Sequence, residues 1–208
     1  MCKKPIAFLL LFLTLTIIPG CSPGMNFSDN DMNIYKKIHK KYAFMESYAA
    51  KAEMIVYSNK TENKYEILQY AKDPKMYRTE FLSPDGEIDF VVIENDGCNI
   101  FSPVSSADAI SLPSSDSLDC TFINNFFALF YNSQQTTINV SSESPSFITL
   151  ETEIYPVSKE RRKAVMVLDE KANIKSIKIY DAGKNLRTEI VFSEFYYNKH
   201  IDDKLFNF

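Results

Sequence analysis

From Tyr48 onward the apolar residues fall at every second position, with Ala50, Ala52, Met54 and Val56 on one side of the chain and Lys51 and Glu53 on the other. That period belongs to a strand buried on one face. It recurs: a second segment spans Tyr65 to Tyr70, a third Met76 to Leu82, a fourth Ile88 to Ile93 and a short fifth Asn99 to Phe101. Between them stand Ser58-Asn59-Lys60-Thr61-Glu62-Asn63, Asp73-Pro74, Ser83-Pro84-Asp85-Gly86 and Asn95-Asp96-Gly97, turn formers of the kind that join antiparallel neighbours. Further strands are predicted over Phe147 to Tyr155, Ala164 to Leu168, Ile174 to Tyr180 and Arg187 to Tyr196, with hairpin-length turns at 169–173 and 181–185. A sheet this large has an apolar face to hide, so something must cover it.

Two helices are available for that. Ile34, Ile38, Tyr42 and Met45 recur at three- and four-residue spacing and predict an amphipathic helix, with Asp29, Asn30 and Asp31 as N-cap candidates. Its lysines, Lys36, Lys37, Lys40 and Lys41, form a solvated face that is also suited to anionic headgroups. A second helix, capped by Asp119 and running through Tyr131, carries Phe122, Ile123, Phe126, Phe127, Leu129 and Phe130 and leaves little polar surface. A helix so apolar belongs against a sheet. Residues 102–118, rich in serine and interrupted by Pro103 and Pro113, read as a long loop. The order of helix, strands, helix, strands gives an α+β class with a large antiparallel sheet curved enough to wrap a helix.

The N-terminus carries an address. Lys3 and Lys4 precede an apolar run from Ile6 to Ile18, which is too short for a permanent bilayer span and ends at Pro19-Gly20-Cys21. A small residue before a cysteine at the end of such a run resembles the lipobox of bacterial lipoprotein precursors. On that reading residues 1–20 are a signal peptide, Cys21 is lipidated and becomes the first residue, 21–30 is a tether, and 31–208 is one domain. Acyl chains burying many methylenes hold such a protein on a membrane without help from the domain.

With 23 basic and 27 acidic residues, two of the basic ones in the signal, the charge balance excludes a nucleic-acid partner. Beyond Cys2 and Cys21 only Cys98 and Cys120 remain, either as a disulfide of an exported protein or as two small buried hydrophobes. No catalytic constellation emerges. The histidines, His39 and His200, stand apart, and the chain has no HExxH, CxxC, nucleophile elbow or phosphate-cradling loop. No metal site or cofactor is expected, and the adjacent pairs Asp169-Glu170 and Asp202-Asp203 are turn charges rather than an acid/base pair. Lys159 to Lys163 is the densest basic run, a solubilising turn or a contact for an acidic partner or headgroup.

Tyr48 opening a strand, Pro74-Lys75-Met76-Tyr77-Arg78, Ser83-Pro84-Asp85-Gly86, the Asp96-Gly97 hairpin and Asp202-Asp203-Lys204-Leu205-Phe206 together resemble the LolA/LolB-like lipoprotein family. Among its members, the turn at Ser58 to Asn63 in a lipidated chain is most similar to the clostridial GerS-type germination lipoproteins. The resemblance implies a half-open antiparallel β-barrel with helices on or across its concave face. It implies that Arg78 holds a helical lid, with Phe122, Phe126, Phe127 and Phe130 as candidate cavity residues. The alternative for Arg78 is an outward arginine paired with Glu80, and for the phenylalanines plain core packing. The GerS likeness further implies a non-catalytic adaptor, extracytoplasmic and of the forespore or spore envelope, that binds a spore-cortex N-acetylmuramoyl-L-alanine amidase. The carrier likeness implies instead an apolar ligand, lipid or lipoprotein acyl chains, in the cavity. An open sheet also allows a homodimer by strand exchange.

Overall fold

The computed structural model describes residues 28–72, 76–95, 98–103, 110–113, 121–133, 135–142, 144–154, 159 and 161–207. The chain opens with α1 (Asp29–Tyr42). Ser28, not one of the three acidic or amide residues after it, is the N-cap, and its hydroxyl and the Asp31 carboxylate satisfy each other's backbone N–H groups in a capping box. The helix therefore begins inside the stretch expected to be tether.

A first meander follows: β1 (Ser47–Tyr57), β2 (Glu62–Lys72), β3 (Met76–Leu82), β4 (Ile88–Asn95), β5 (Cys98–Pro103) and β6 (Ile110–Pro113). Then α2 (Ile123–Asn132) leads to a second meander, β7 (Thr136–Val140), β8 (Phe147–Glu153), β9 (Lys163–Asp169), β10 (Ile174–Tyr180) and β11 (Leu186–Tyr197). All eleven described strands form one sheet in the order β6-β5-β4-β3-β2-β1-β11-β10-β9-β8-β7. The meanders meet where β1 pairs with β11, from Tyr48 opposite Tyr197 to Val56 opposite Thr188. Two strands escaped the sequence: β6 within the Ser/Pro-rich stretch expected to be loop, and β7 before Phe147. Both are edge strands, where one-sided pairing demands little pattern.

One continuous core lies on a single face of the sheet. It takes Tyr77 from β3, Ile67 and Ala71 from β2, and runs through Ile138 of β7 and Ile148 of β8, packed on α1 and α2. That face spans eight strands, about 34 Å if flat at ~4.8 Å per strand, whereas two helices side by side are about 20–24 Å wide. The sheet must curl around the helices to keep contact. A bulge helps: between Lys51 and Ala52 the β1–β11 register slips, so that Ile190 and Phe192 on one side of Ser193, and Phe195 on the other, all join the same core.

A smaller core occupies the opposite face, where Ile201 and Phe206 of the C-terminal segment cover Val91 and Ile93 of β4. That segment ends in a 3-10 turn, Asp203–Phe206, whose N-cap is the Asp202 carboxylate. Lys72 reaches over from β2 to the carbonyl of Ile201 (3.2 Å) and to the Asp203 carboxylate.

The turn from β10 to β11 is fastened by Asp181, which accepts hydrogen bonds from the Asn185 backbone (2.8 Å), the Asn185 side chain (3.1 Å) and Arg187 Nε (2.7 Å). The bonds from Asn185, with Arg187 beside them, hold the Asp181 carboxyl down at about 2. Because the folded value is depressed, this carboxylate stabilises the fold above the usual carboxylate range and ceases to as pH falls from about 4 to about 2. Acid titration of thermal stability is expected to show a descending step in that window, and Asp181→Asn should flatten it.

Candidate functional site

The concave face is not covered evenly. Under α2 it is closed: Phe122, Phe126, Phe127 and Phe130 are all buried in the main core. Phe126 stacks on Phe130 at 6.1 Å between centroids, and Phe127 stacks on Tyr42 of α1 at 5.2 Å. Phe122, Phe126 and Phe130 are therefore core, the plainer of their two sequence readings, whereas Phe127, also buried, borders a cavity of about 320 Å³ that Tyr42, Tyr77 and Asn124 line with it.

What places α2 is polar. Its N-cap, Phe122, has no side chain able to accept from the first turn. Tyr48 supplies the acceptor: the Ile123 N–H donates to the Tyr48 hydroxyl at 3.2 Å, and that hydroxyl donates to Gln69 Oε1 at 2.7 Å. The Gln69 amide in turn donates to the Thr121 carbonyl at 3.4 Å. Burial pushes the Tyr48 phenol well above its ordinary value, so it stays a neutral donor. Beside it the Tyr77 hydroxyl donates to Asn125 Oδ1 at 2.6 Å. Two tyrosines of the sheet thus grip the first turn of α2.

Arg78 does not take part. On β3 Tyr77 belongs to the concave core, so Arg78 and Glu80 point to the other face. There Arg78 Nε pairs with Glu80 Oε1 at 2.6 Å and Nη1 donates to the Leu205 carbonyl at 3.0 Å. The expected lid arginine clasps the C-terminal segment on the convex face instead. Two of the α1 lysines are likewise structural: Lys37 donates to the Glu170 carbonyl (2.7 Å) and Lys41 to Asn173 Oδ1 (2.6 Å), fixing α1 to the β9–β10 turn. Lys36 and Lys40 remain exposed.

Beyond the helices the concave face continues as a row of half-exposed rings. Tyr65 meets Phe81 edge-on at 5.6 Å, Phe81 meets Phe90 at 5.9 Å, and Phe90 meets Phe101 at 6.2 Å, one ring from each of β2, β3, β4 and β5. Sequence reading missed this row. Its signal was the Ser83–Gly86 turn, which sets Phe81 opposite Phe90.

Cys21 and Cys120 lie outside the described residues, as does Glu160 of the basic run. Within that run Arg162 pairs with Glu153 at 3.2 Å and Lys163 with Glu151 at 2.9 Å. His39 stacks on Tyr35 of its own helix at 5.8 Å, far in sequence from exposed His200. Among the described residues no group of three or more His, Cys, Asp or Glu is placed to hold a metal ion, and no helix is long and apolar enough to cross a membrane.

An open antiparallel sheet curled around helices on its concave face defines the class: this is a half-open β-barrel. The model of the YdcC-like sporulation protein family matches residues 3–206, and the chain belongs to that family. No curated protein matches it. Solved structures are similar in outline. A chain of the complex of CwlD amidase with the GerS lipoprotein from Clostridioides difficile shares 20% identity, over 86% of this chain and 99% of that one, with a TM-score of 0.40. A LolA superfamily protein from Nitrosomonas europaea shares 13% identity over 85% and 96%, with a TM-score of 0.47. The lipoprotein LppX from Mycobacterium tuberculosis shares 10% identity over 84% and 99%, with a TM-score of 0.47.

Tyr48→Phe keeps the ring and removes the hydroxyl, stranding the Ile123 N–H and Gln69 Oε1 in the core. Urea unfolding should show a loss of about 1–3 kcal/mol, the penalty of a buried polar group left without its partner. Arg78→Ala should raise amide hydrogen exchange in the 203–206 turn and leave α2 protected; the reverse pattern would restore the lid role.

Proposed function

We propose that this chain is a membrane-anchored, non-catalytic lipoprotein that binds a spore-cortex N-acetylmuramoyl-L-alanine amidase and enables its action outside the cytoplasm. Membership of a sporulation family supports the setting. The Gly20-Cys21 junction after a short apolar run supports lipid attachment at Cys21 and an extracytoplasmic place. The partner class comes from the likeness to GerS-type proteins in the order of the sequence motifs.

The observation that carries the adaptor reading is the open sheet. Strands β6 and β7 each have one neighbour among the described residues. Along β7 only Ile138 is buried, while Thr137, Asn139 and Val140 are exposed, so the strand presents backbone N–H and C=O groups with little in the way. An edge of this kind accepts an added strand from a partner. A protein held by its own lipid gains little from shuttling and much from keeping an enzyme at the surface.

A second reading, a carrier of lipid or lipoprotein acyl chains, is favoured by the ring row from Tyr65 to Phe101, an apolar surface open enough to take a chain.

The full chain co-expressed with a cell-wall amidase should form a complex stable to gel filtration. Thr137→Lys and Val140→Lys together, which add charge to the β7 edge without touching Ile138, should weaken it at least about tenfold with Tm unchanged. Lipid retained by the purified chain, found by mass spectrometry with no amidase complex formed, would replace the adaptor with the carrier.

A further inference from the structure

The outward side of α1 carries a pattern that its packing does not use. On a helix of 3.6 residues per turn, Asn33, Lys36, Lys37, Lys40 and Phe44 fall within a sector of about 100°, and all five are exposed. Ile34, Ile38 and Tyr42, which pack in the core, fall on the other side. Phe44 lies just past the helix, but the helical course holds as far as Ala43, whose N–H donates to the His39 carbonyl at 2.8 Å. At 82% exposure Phe44 is the most open large apolar residue described. It is not a loose end. Asn198, in the left-handed region at φ 53°, donates from Nδ2 to the Phe44 carbonyl at 3.1 Å and accepts from the Glu46 N–H at 2.9 Å. The Asn198 N–H donates to the Ser47 carbonyl at 2.7 Å. The ring is thus held out on a fixed turn while burying almost nothing within the fold.

The surroundings of the ring indicate what covers it. None of the α1 lysines, Lys36, Lys37, Lys40 and Lys41, is ion-paired with a carboxylate among the described residues. The carboxylates closest to the stripe in sequence stand at its ends, Asp29 in the first turn and Glu46 beyond Phe44. A basic stripe ending in one apolar ring suits a bilayer interface, where ammonium groups meet anionic headgroups and the ring enters the acyl boundary. A protein interface instead gathers its aromatic anchors in a desolvated centre. The length of chain before the helix fits the same surface: the seven residues from Cys21 to Ser28 reach at most about 25 Å, and α1 is about 21 Å long. With lipid on Cys21 the helix stays within about its own length of the bilayer, so a patch of modest charge is enough to hold it down. We infer that the outward side of α1 docks on anionic phospholipid, with Lys36 and Lys40 at the headgroups and Phe44 inserted beside them. The inference rests on the lipid at Cys21 and adds an orientation to it, since α1 lies on the concave face and the convex face is then directed away from the bilayer.

The chain has no tryptophan, so Phe44→Trp places a single fluorescent ring at the site. The full chain carrying it, exported and processed by a bacterial host, is reconstituted into vesicles of phosphatidylcholine and phosphatidylglycerol whose acyl chains are brominated close to the headgroups. Loss of emission to bromine is expected there. No loss is expected for Val191→Trp, because Ile190 and Phe192 on either side of it join the concave core and Val191 faces the opposite way. Adding Lys36→Gln and Lys40→Gln should lower the ratio of docked to undocked chain at least about tenfold with Tm unchanged, each lysine near an anionic surface being worth about a factor of five. Vesicles of phosphatidylcholine alone should have the same effect and need no variant. Mass spectrometry at Cys21 keeps two failures apart. A processed chain without lipid there would overturn the anchor and the docking together. A lipidated chain whose Phe44→Trp emission is unquenched, as when the ring is kept for a protein partner, or is quenched equally in charged and neutral vesicles, would overturn the docking alone.

Discussion

One hydroxyl sets the relation between helix and sheet. Tyr48 stands near the start of β1, the strand through which the two meanders join, and its oxygen both accepts from the first N–H of α2 and donates to Gln69 on β2. The phenylalanines of α2 supply most of the attraction to the sheet, since each large buried side chain is worth a few kcal/mol. That attraction has no direction. A stripe of rings would be almost as well buried after a small rotation or slide, whereas a buried N–H that loses its acceptor costs about as much as the slide could return. Packing therefore explains why α2 lies on the concave face, and the Tyr48 bridge explains where.

The two faces then divide the tasks. The concave face holds α1 and α2, and the convex face of the first meander holds the C-terminal segment. Strands β3 and β4 are thus gripped from outside by Ile201 and Phe206, with Arg78 and Lys72 bonding the carbonyls of Leu205 and Ile201. The largely buried Arg78–Glu80 pair gains from this arrangement, because the Leu205 carbonyl gives the guanidinium a second acceptor in a place where an unmatched charge would be costly. At the far side of the sheet, β7 has only β8 beside it among the described residues, with α1 against it and α2 over β8.

How much of this was legible in the sequence follows from how many partners each residue has. Central strands with a buried face carry a full period-two pattern, and β3 and β10 fall on the expected bounds of Met76–Leu82 and Ile174–Tyr180. Edge strands β6 and β7 do not. In β7 one buried residue, Ile138, does the patterning, and two points do not make a period. The outward course of Arg78 was readable, because residues two apart on a strand share a face and Glu80 is two away. What hid was the convex clasp itself, a contact with residue 205 across the whole chain. The same holds for the Tyr65–Phe101 row and the cavity beside α2, which exist only once hairpin registers and the pose of α2 are set. Cys21 was the reverse case, plain in sequence and outside the described residues.

The first turn of α2 concentrates these themes. Within three residues, Ile123 is met by Tyr48, Asn125 is met by Tyr77, and Asn124 between them is met by nothing. Asn124 and, four residues on, the exposed Ala128 line the cavity of about 320 Å³ beside Tyr42 and Tyr77. The neighbouring tyrosines bond the turn on both sides of Asn124, which stays partly buried on the cavity wall. The Tyr48 bridge that locks the helix to the sheet thus also sets where Asn124 stands on the cavity wall.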